Sequence, residues 1–285
     1  MSTPAARNFF LALPACLLAA VSWSQPLPTG KPQIKSASVL VVDEADSTIL
    51  FAKQSQKVMP VASITKLMTA LVVLEGGQPI DETITILPID KEKTRASASR
   101  LAVGAKLTRG ELLHLALMSS ENRAAQAVGR AYEGGLPAFI KAMNVKAKAL
   151  GMKNSRFVDP TGLSSGNVST ADDLTKLVIA GAREPRIEEY STSDRLTVAV
   201  GRQLLEFRNT NSLTSKDDWD ISVQKTGFTQ DAGQCLVLRT TIQDRPTIIV
   251  LLNSFGKLTR VADARRVRRW IEGGRDGSQM ARAHK

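Results

Sequence analysis

Ser63 and Lys66 stand three residues apart in the run Ser63-Ile64-Thr65-Lys66, a spacing that suits a nucleophile and its base. On a helix, positions i and i+3 stack on one face with Cβ atoms about 5–6 Å apart, so the amine can reach the hydroxyl. A neutral amine could take the serine proton. For that, Lys66 must fall from about 10.4 to about 7–8, roughly 3–5 kcal/mol, which burial and a second nearby cation would supply. Histidine chemistry lacks material, because His114 and His284 are the only two histidines. His114 lies among Leu112, Leu113, Leu115 and Leu117 and reads as a packing residue. A Ser-His-Asp triad or an H-E-x-x-H zinc site is therefore not expected, and no metal or other cofactor is called for. Gly162-Leu163-Ser164-Ser165-Gly166 matches G-x-S-x-G in letters. That motif needs a strand before it and a helix directly after, whereas Asp159-Pro160-Thr161-Gly162 reads as a turn.

A lone S-x-x-K is weak evidence; its company strengthens it. Ser120-Glu121-Asn122 falls between two expected helices, and Lys225-Thr226-Gly227 ends an expected strand. Taken singly, Ser120 reads as a helix cap and Lys225 as a solvated lysine. In this order the three make the S-x-x-K, S-x-N and K-T-G set of penicillin-interacting serine enzymes.

With their flanks, ASITKLMTA from Ala62, LMSSENRAA from Leu117, FVDPTGL from Phe157 and KTGFTQDAGQC from Lys225, these motifs resemble the low-molecular-mass D-alanyl-D-alanine peptidases, within them the DD-endopeptidases. The resemblance runs from about residue 37 to residue 273. It implies that Ser63 attacks the D-Ala carbonyl to give an acyl-enzyme, with Lys66 as base. Ser120 would relay a proton to the leaving nitrogen, and Asn122 would hold the substrate amide. Lys225 would supply the second positive charge and Thr226 would bind the leaving residue's carboxylate. The N–H groups of Ser63 and Phe228 would hold the oxyanion, with Gly227 permitting close approach of the substrate. The implied partners are peptidoglycan stem peptides and their cross-links, with β-lactams as covalent inhibitors.

Three other functions share this frame. A β-lactam hydrolase would add an E-P-x-L-N segment, which Glu184-Pro185-Arg186-Ile187-Glu188 resembles only with Glu188 in place of Asn. A non-catalytic wall-binding protein would not need Ser63, Lys66, Ser120, Asn122 and Lys225 together. A carboxypeptidase shares the central motifs; related ones carry an extra C-terminal β domain and an amphipathic anchor, whereas this chain ends about 15 residues after Trp270. A DD-endopeptidase is the expectation.

The elements that must position these groups follow from periodicity and turn signals. Residues 37–43 and 48–53 read as a hairpin, and the apolar spacing of residues 63–74 predicts a buried helix. Further helices are predicted over residues 108–118, 122–132, 137–150 and 171–182, the first opened by a Thr108/Glu111 capping box and the last capped by Ser169 or Thr170. Strands are predicted over residues 221–226, 234–241 and 247–253 in meander order, then a helix over 261–271. Strand, strand, many helices, three strands and a helix make an α+β fold: a mainly antiparallel sheet flanked by helices, with an inserted helical subdomain.

The first 24 residues have the parts of a secretory signal peptide: Arg7, an apolar run over residues 9–21, and Ser22 and Ser24 around Trp23. A lipid-attachment role for Cys16 fits poorly beside Pro14. Cleavage after Ser24 implies a periplasmic protein with no transmembrane anchor in the mature chain. Residues 25–35, with Pro26, Pro28 and Pro32, read as a linker, residues 36–273 as the peptidase domain and residues 274–285 as a basic, flexible tail. Cys235 is then the only cysteine and, in an apolar run, reads as a buried thiol. The net charge of +11 is concentrated late, from Arg260 to Arg282. Without interleaved aromatics this does not indicate nucleic acid, and a solvated helix face is the expectation.

Overall fold

The computed structural model describes residues 30–91 and 99–283, with side chains up to residue 273. The signal peptide, most of the linker and His284 lie outside the described residues; residues 31–35 form no regular element.

A five-stranded sheet organises the chain. It contains β1 (Ser38–Asp43), β2 (Thr48–Lys53), β9 (Asp220–Thr229), β10 (Gly233–Ile242) and β11 (Arg245–Ser254). Their order is β2-β1-β11-β10-β9, and every neighbouring pair is antiparallel. The expected hairpin and meander are thus present, with the first and last parts of the chain paired through β1 and β11. Side chains alternate between faces. Val39, Val41, Leu236, Leu238, Ile249 and Leu251 pack on one side with Ala264, Val267 and Ile271 of the closing helix α7 (Thr259–Ala283). Leu40, Val42, Val237, Ile248, Val250 and Leu252 join the larger core of the helical side. Helix α7 runs beyond the expected end at Ile271 into the residues expected to be a flexible tail. No proline interrupts it, and once its first turns are docked each added residue closes another backbone hydrogen bond.

The helical side is built around α1 (Thr65–Glu75), buried from Thr65 to Val73. A helix buried all round belongs in the middle of a core. Around it lie α2 (Arg109–Met118), α3 (Asn122–Arg130), α4 (Gly135–Ala149) and α5 (Ala171–Gly181). The Thr108/Glu111 capping box forms as expected, and Thr170 caps α5. Short pairs, β3 (Met59–Pro60) with β6 (Val168–Ser169) and β4 (Thr83–Thr85) with β5 (Lys106–Thr108), stitch loops together. Besides these short pairs, two larger features were not expected: α6 (Pro185–Thr192), which absorbs the Glu184–Glu188 segment, and a hairpin of β7 (Arg195–Val200) and β8 (Gln203–Arg208). None of the described helices is long and apolar enough to cross a membrane.

One buried carboxylate ties the segment leading into β1 to α7. Asp263, fully buried, accepts from the backbone N–H of Ser36 at 2.7 Å, from Ser36 Oγ at 2.6 Å and from Lys35 N–H, and pairs with Arg266. Deleting it orphans these donors. Asp263→Ala should therefore lower unfolding free energy by about 3 kcal/mol with an unchanged urea m-value, measured by equilibrium denaturation.

Candidate active site

Ser63 lies in a single 3-10 turn, Ala62–Ile64, that leads straight into α1. Lys66 follows one turn later and is fully buried, with Ser63 at 9% exposure. Lys66 Nζ is 2.9 Å from Ser63 Oγ, 2.8 Å from Asn122 Oδ1 and 2.7 Å from the Thr161 carbonyl oxygen. The last two are acceptors only. A neutral amine must spend its two N–H bonds on them, which leaves its lone pair for the Ser63 hydroxyl.

The Thr161 carbonyl is placed by a loop folded on Asp159. Oδ1 of that carboxylate accepts from Thr161 N–H, Thr161 Oγ1 and Gly162 N–H at 2.6–2.7 Å, and Oδ2 accepts from Ser164 N–H and Asn167 Nδ2. Ser164 is a loop residue, as expected, so its G-x-S-x-G letters carry no nucleophile. Gly162 has φ +82°, and a Cβ there would lie 1.9 Å from the Ala62 carbonyl oxygen. Only glycine lets the loop close on the serine turn.

Between α2 and α3, Glu121 accepts from Arg123 N–H and caps α3. The capping role considered for Ser120 therefore falls to its neighbour. Ser120 adopts φ +60° and, with Asn122, lines a cleft of about 320 Å³.

The sheet supplies the opposite side through β9, which packs against the serine turn. Lys225, Thr226, Gly227 and Phe228 lie within β9, which continues past the strand end expected at Thr226. A Cβ at Gly227 would meet Val61 O at 3.0 Å and Ser63 N at 3.1 Å, so the close seam depends on its absence. Lys225 is fully buried and donates to the Thr226 carbonyl at 2.9 Å. Burial holds its ammonium well below the ordinary lysine range, and the charges of Lys66 and Arg260 push the same way. Thr226 Oγ1 lies 2.6 Å from Thr210 Oγ1, and Thr210 N–H donates to Met118 O at the end of α2. Phe228 is 58% exposed.

Thr210 and Arg260 were not singled out as site residues. Arg260 reaches from α7 to donate to Gly227 O at 2.7 Å and to Cys235 O at 3.2 Å. In the sequence it was one arginine of a basic run. Cys235 is buried, and burial raises its thiol to about 11, which keeps it protonated. His114 stacks on Tyr190 at 4.6 Å and bonds Ser193 Oγ at 2.8 Å, a packing arrangement. Among the described residues no group of histidine, cysteine and carboxylate side chains could hold a metal ion.

The model of the D-alanyl-D-alanine carboxypeptidase family, S11 peptidases, matches residues 25–256. The chain is 48% identical to a D-alanyl-D-alanine endopeptidase of Pseudomonas aeruginosa over 278 residues, covering 94% of this chain and 90% of that protein. It is 46% identical to a D-alanyl-D-alanine endopeptidase of Escherichia coli over 267 residues, covering 93% and 86%. Its fold is similar to that of the Streptomyces K15 DD-transpeptidase, with TM-score 0.79, 26% identity and coverage of 86% of this chain and 99% of that one. The cefotaxime-bound penicillin-binding protein D2 of Listeria monocytogenes gives TM-score 0.75 at 26% identity, covering 85% and 98%.

Gly162→Ala should leave the fold intact by circular dichroism yet slow acylation of Ser63 by a fluorescent penicillin about 100-fold, because displacing the turn by about 1 Å misaligns the nucleophile. The depressed Lys225 has a signature in stability. Between its lowered folded value and the ordinary 10.5, the unfolded chain binds more protons than the native one, so stability rises with pH across that window. In urea titrations across that window, Lys225→Met should show a flatter rise than the parent protein.

Proposed function

The chain belongs to the S11 family of D-alanyl-D-alanine serine peptidases, and from that premise we propose that it is a periplasmic DD-endopeptidase. Its substrate would be the D-Ala–diaminopimelate cross-link of peptidoglycan. The observation that carries the mechanism is the Lys66 amine, which has two acceptor-only contacts and Ser63 Oγ as its third.

Lys66 Nζ takes the Ser63 hydroxyl proton as Oγ attacks the D-Ala carbonyl carbon. The tetrahedral oxyanion sits between the N–H groups of Ser63 and Phe228, on the two sides of the seam that Gly227 keeps narrow. Oxyanion donors of this kind are typically worth about 3–4 kcal/mol each. The proton passes through Ser120 Oγ to the leaving nitrogen, the C–N bond breaks, and the acyl group stays on Ser63. Water, deprotonated by Lys66, then releases it. Asn122 Oδ1 holds Lys66 while its amide meets the substrate backbone. Lys225 adds positive potential, and Thr226 takes the carboxylate beside the scissile amide. A β-lactam follows the same path as far as the acyl-enzyme, so covalent inhibition is expected. The 46–48% identity to curated endopeptidases, over more than nine-tenths of this chain, supports cross-link cleavage over removal of terminal D-Ala. Export rests on the N-terminal signal pattern, and a mature chain beginning at Gln25 in a periplasmic extract would bear it out.

A labelled penicillin should modify Ser63 and leave Ser63→Ala unmodified. Purified cross-linked muropeptide dimers should be cut to monomers, while pentapeptide monomers keep their terminal D-Ala. Persistence of dimers with release of D-Ala would instead identify a carboxypeptidase.

A further inference from the structure

The cleft beside Ser120 and Asn122 has a second wall to which the mechanism assigns no role. Arg100, Phe207 and Arg208 form it. Phe207 is buried at the base of the β7–β8 hairpin, and the Arg100 guanidinium stacks over its ring at 4.0 Å. Arg100 Nη2 also donates to the Glu206 carbonyl at 2.6 Å. Arg208 Nε donates to Glu206 Oε1 at 2.9 Å, and Arg195 stands 3.9 Å from Oε2. Three guanidinium groups therefore gather at Glu206, Arg195 and Arg208 on its carboxylate and Arg100 on its backbone carbonyl, and positive charge exceeds negative on this rim. Glu121 also borders the cleft, but it is buried, with its oxygens accepting from Ser99 Oγ and Arg123 N–H.

A guanidinium fork matches a carboxylate, and one stacked on a fixed ring loses little freedom on binding. The cleft opens directly from Ser120 and Asn122, so a residue flanking the scissile bond enters it. In a cross-link, the residues on both sides of D-Ala are diaminopimelate units. The side-arm carboxylate of the acceptor unit is the one beside the scissile amide that Thr226 takes, which leaves the side-arm carboxylate of the donor unit without a partner. We propose that Arg100 and Arg208 form a cationic subsite for that donor carboxylate. This rests on the endopeptidase reading and adds the feature by which the enzyme selects its substrate.

The test compares two synthetic muropeptide dimers, one unmodified and one amidated on the side-arm carboxylate of the donor diaminopimelate. The amidation should lower kcat/KM of the parent enzyme about tenfold. In the Arg100→Gln/Arg208→Gln variant this penalty should shrink to about twofold or less, with penicillin labelling of Ser63 reporting that the variant is folded. Arg208→Glu should reverse it, so that the amidated dimer becomes the better substrate. Equal cleavage of both dimers by the parent enzyme, or a penalty that persists in the double variant, would overturn the subsite. An unmodified dimer left uncut by a penicillin-labelled enzyme would instead overturn the endopeptidase reading, and the subsite with it.

Discussion

Two lysine amines are buried in one site, and much of the architecture follows from what that costs. An ammonium group loses its hydration on burial, and a second one nearby adds repulsion that either can relieve by giving up its proton. Lys66 and Lys225 come from different layers, Lys66 from α1 at the centre of the helical core and Lys225 from β9 in the sheet. Their hydrogen bonds run to carbonyl, amide and hydroxyl oxygens. Such acceptors stabilise an ammonium without neutralising it, and they satisfy a neutral amine equally well. A carboxylate in their place would have pinned the proton on lysine.

Holding that arrangement takes backbone that ordinary residues avoid. Ala62 and Ser120 have φ of +47° and +60°, and Gly162 has +82°. Non-glycine residues in this region cost of order 1–3 kcal/mol and persist only where the surroundings dictate them. Here the surroundings are specific. The Asp159 carboxylate fixes the loop that presses Gly162 on Ala62, and Glu121 takes the cap of α3 beside Ser120. These acidic side chains shape the site from outside the Ser63–Lys66 pair.

The buried framework was legible because burial imposes period. The continuous buried runs of β10 and β11, the apolar spacing of α1, and the Thr108 and Thr170 caps all follow from local rules. Lys66 and Asn122 are in hydrogen-bond contact, and β9 with its Lys225 packs against the serine turn. The β7–β8 hairpin escaped notice because its residues are mostly exposed, with only Val198 and Phe207 buried. Helix α6 is polar outside Ile187 and lies beside an E-P segment that invited a different comparison. Thr210 and Arg260 carried no signal at all. Their positions depend on pairings across distant segments, which no local pattern encodes.

The basic closing run shows how a charge count dissolves once partners are known. Arg260 is spent on Gly227 and Cys235 carbonyls, Arg266 on Asp263, and Arg268 on Asp218, Glu272 and the Trp219 ring. Arg265 and Arg269 remain exposed on one helix face, one turn apart. Most of the described positive charge on α7 is therefore structural, and the first turns of this helix act on the site through the sheet. Arg260 holds the carbonyl of Gly227, the residue whose α-carbon packs on the serine turn, so β9 is fixed where it meets Ser63. A strand at the edge of a sheet is ordinarily free to twist and slip. Clamped in this way, β9 keeps Lys225 and Thr226 in register with Ser63 and Lys66, although the two halves of the site come from segments more than 150 residues apart.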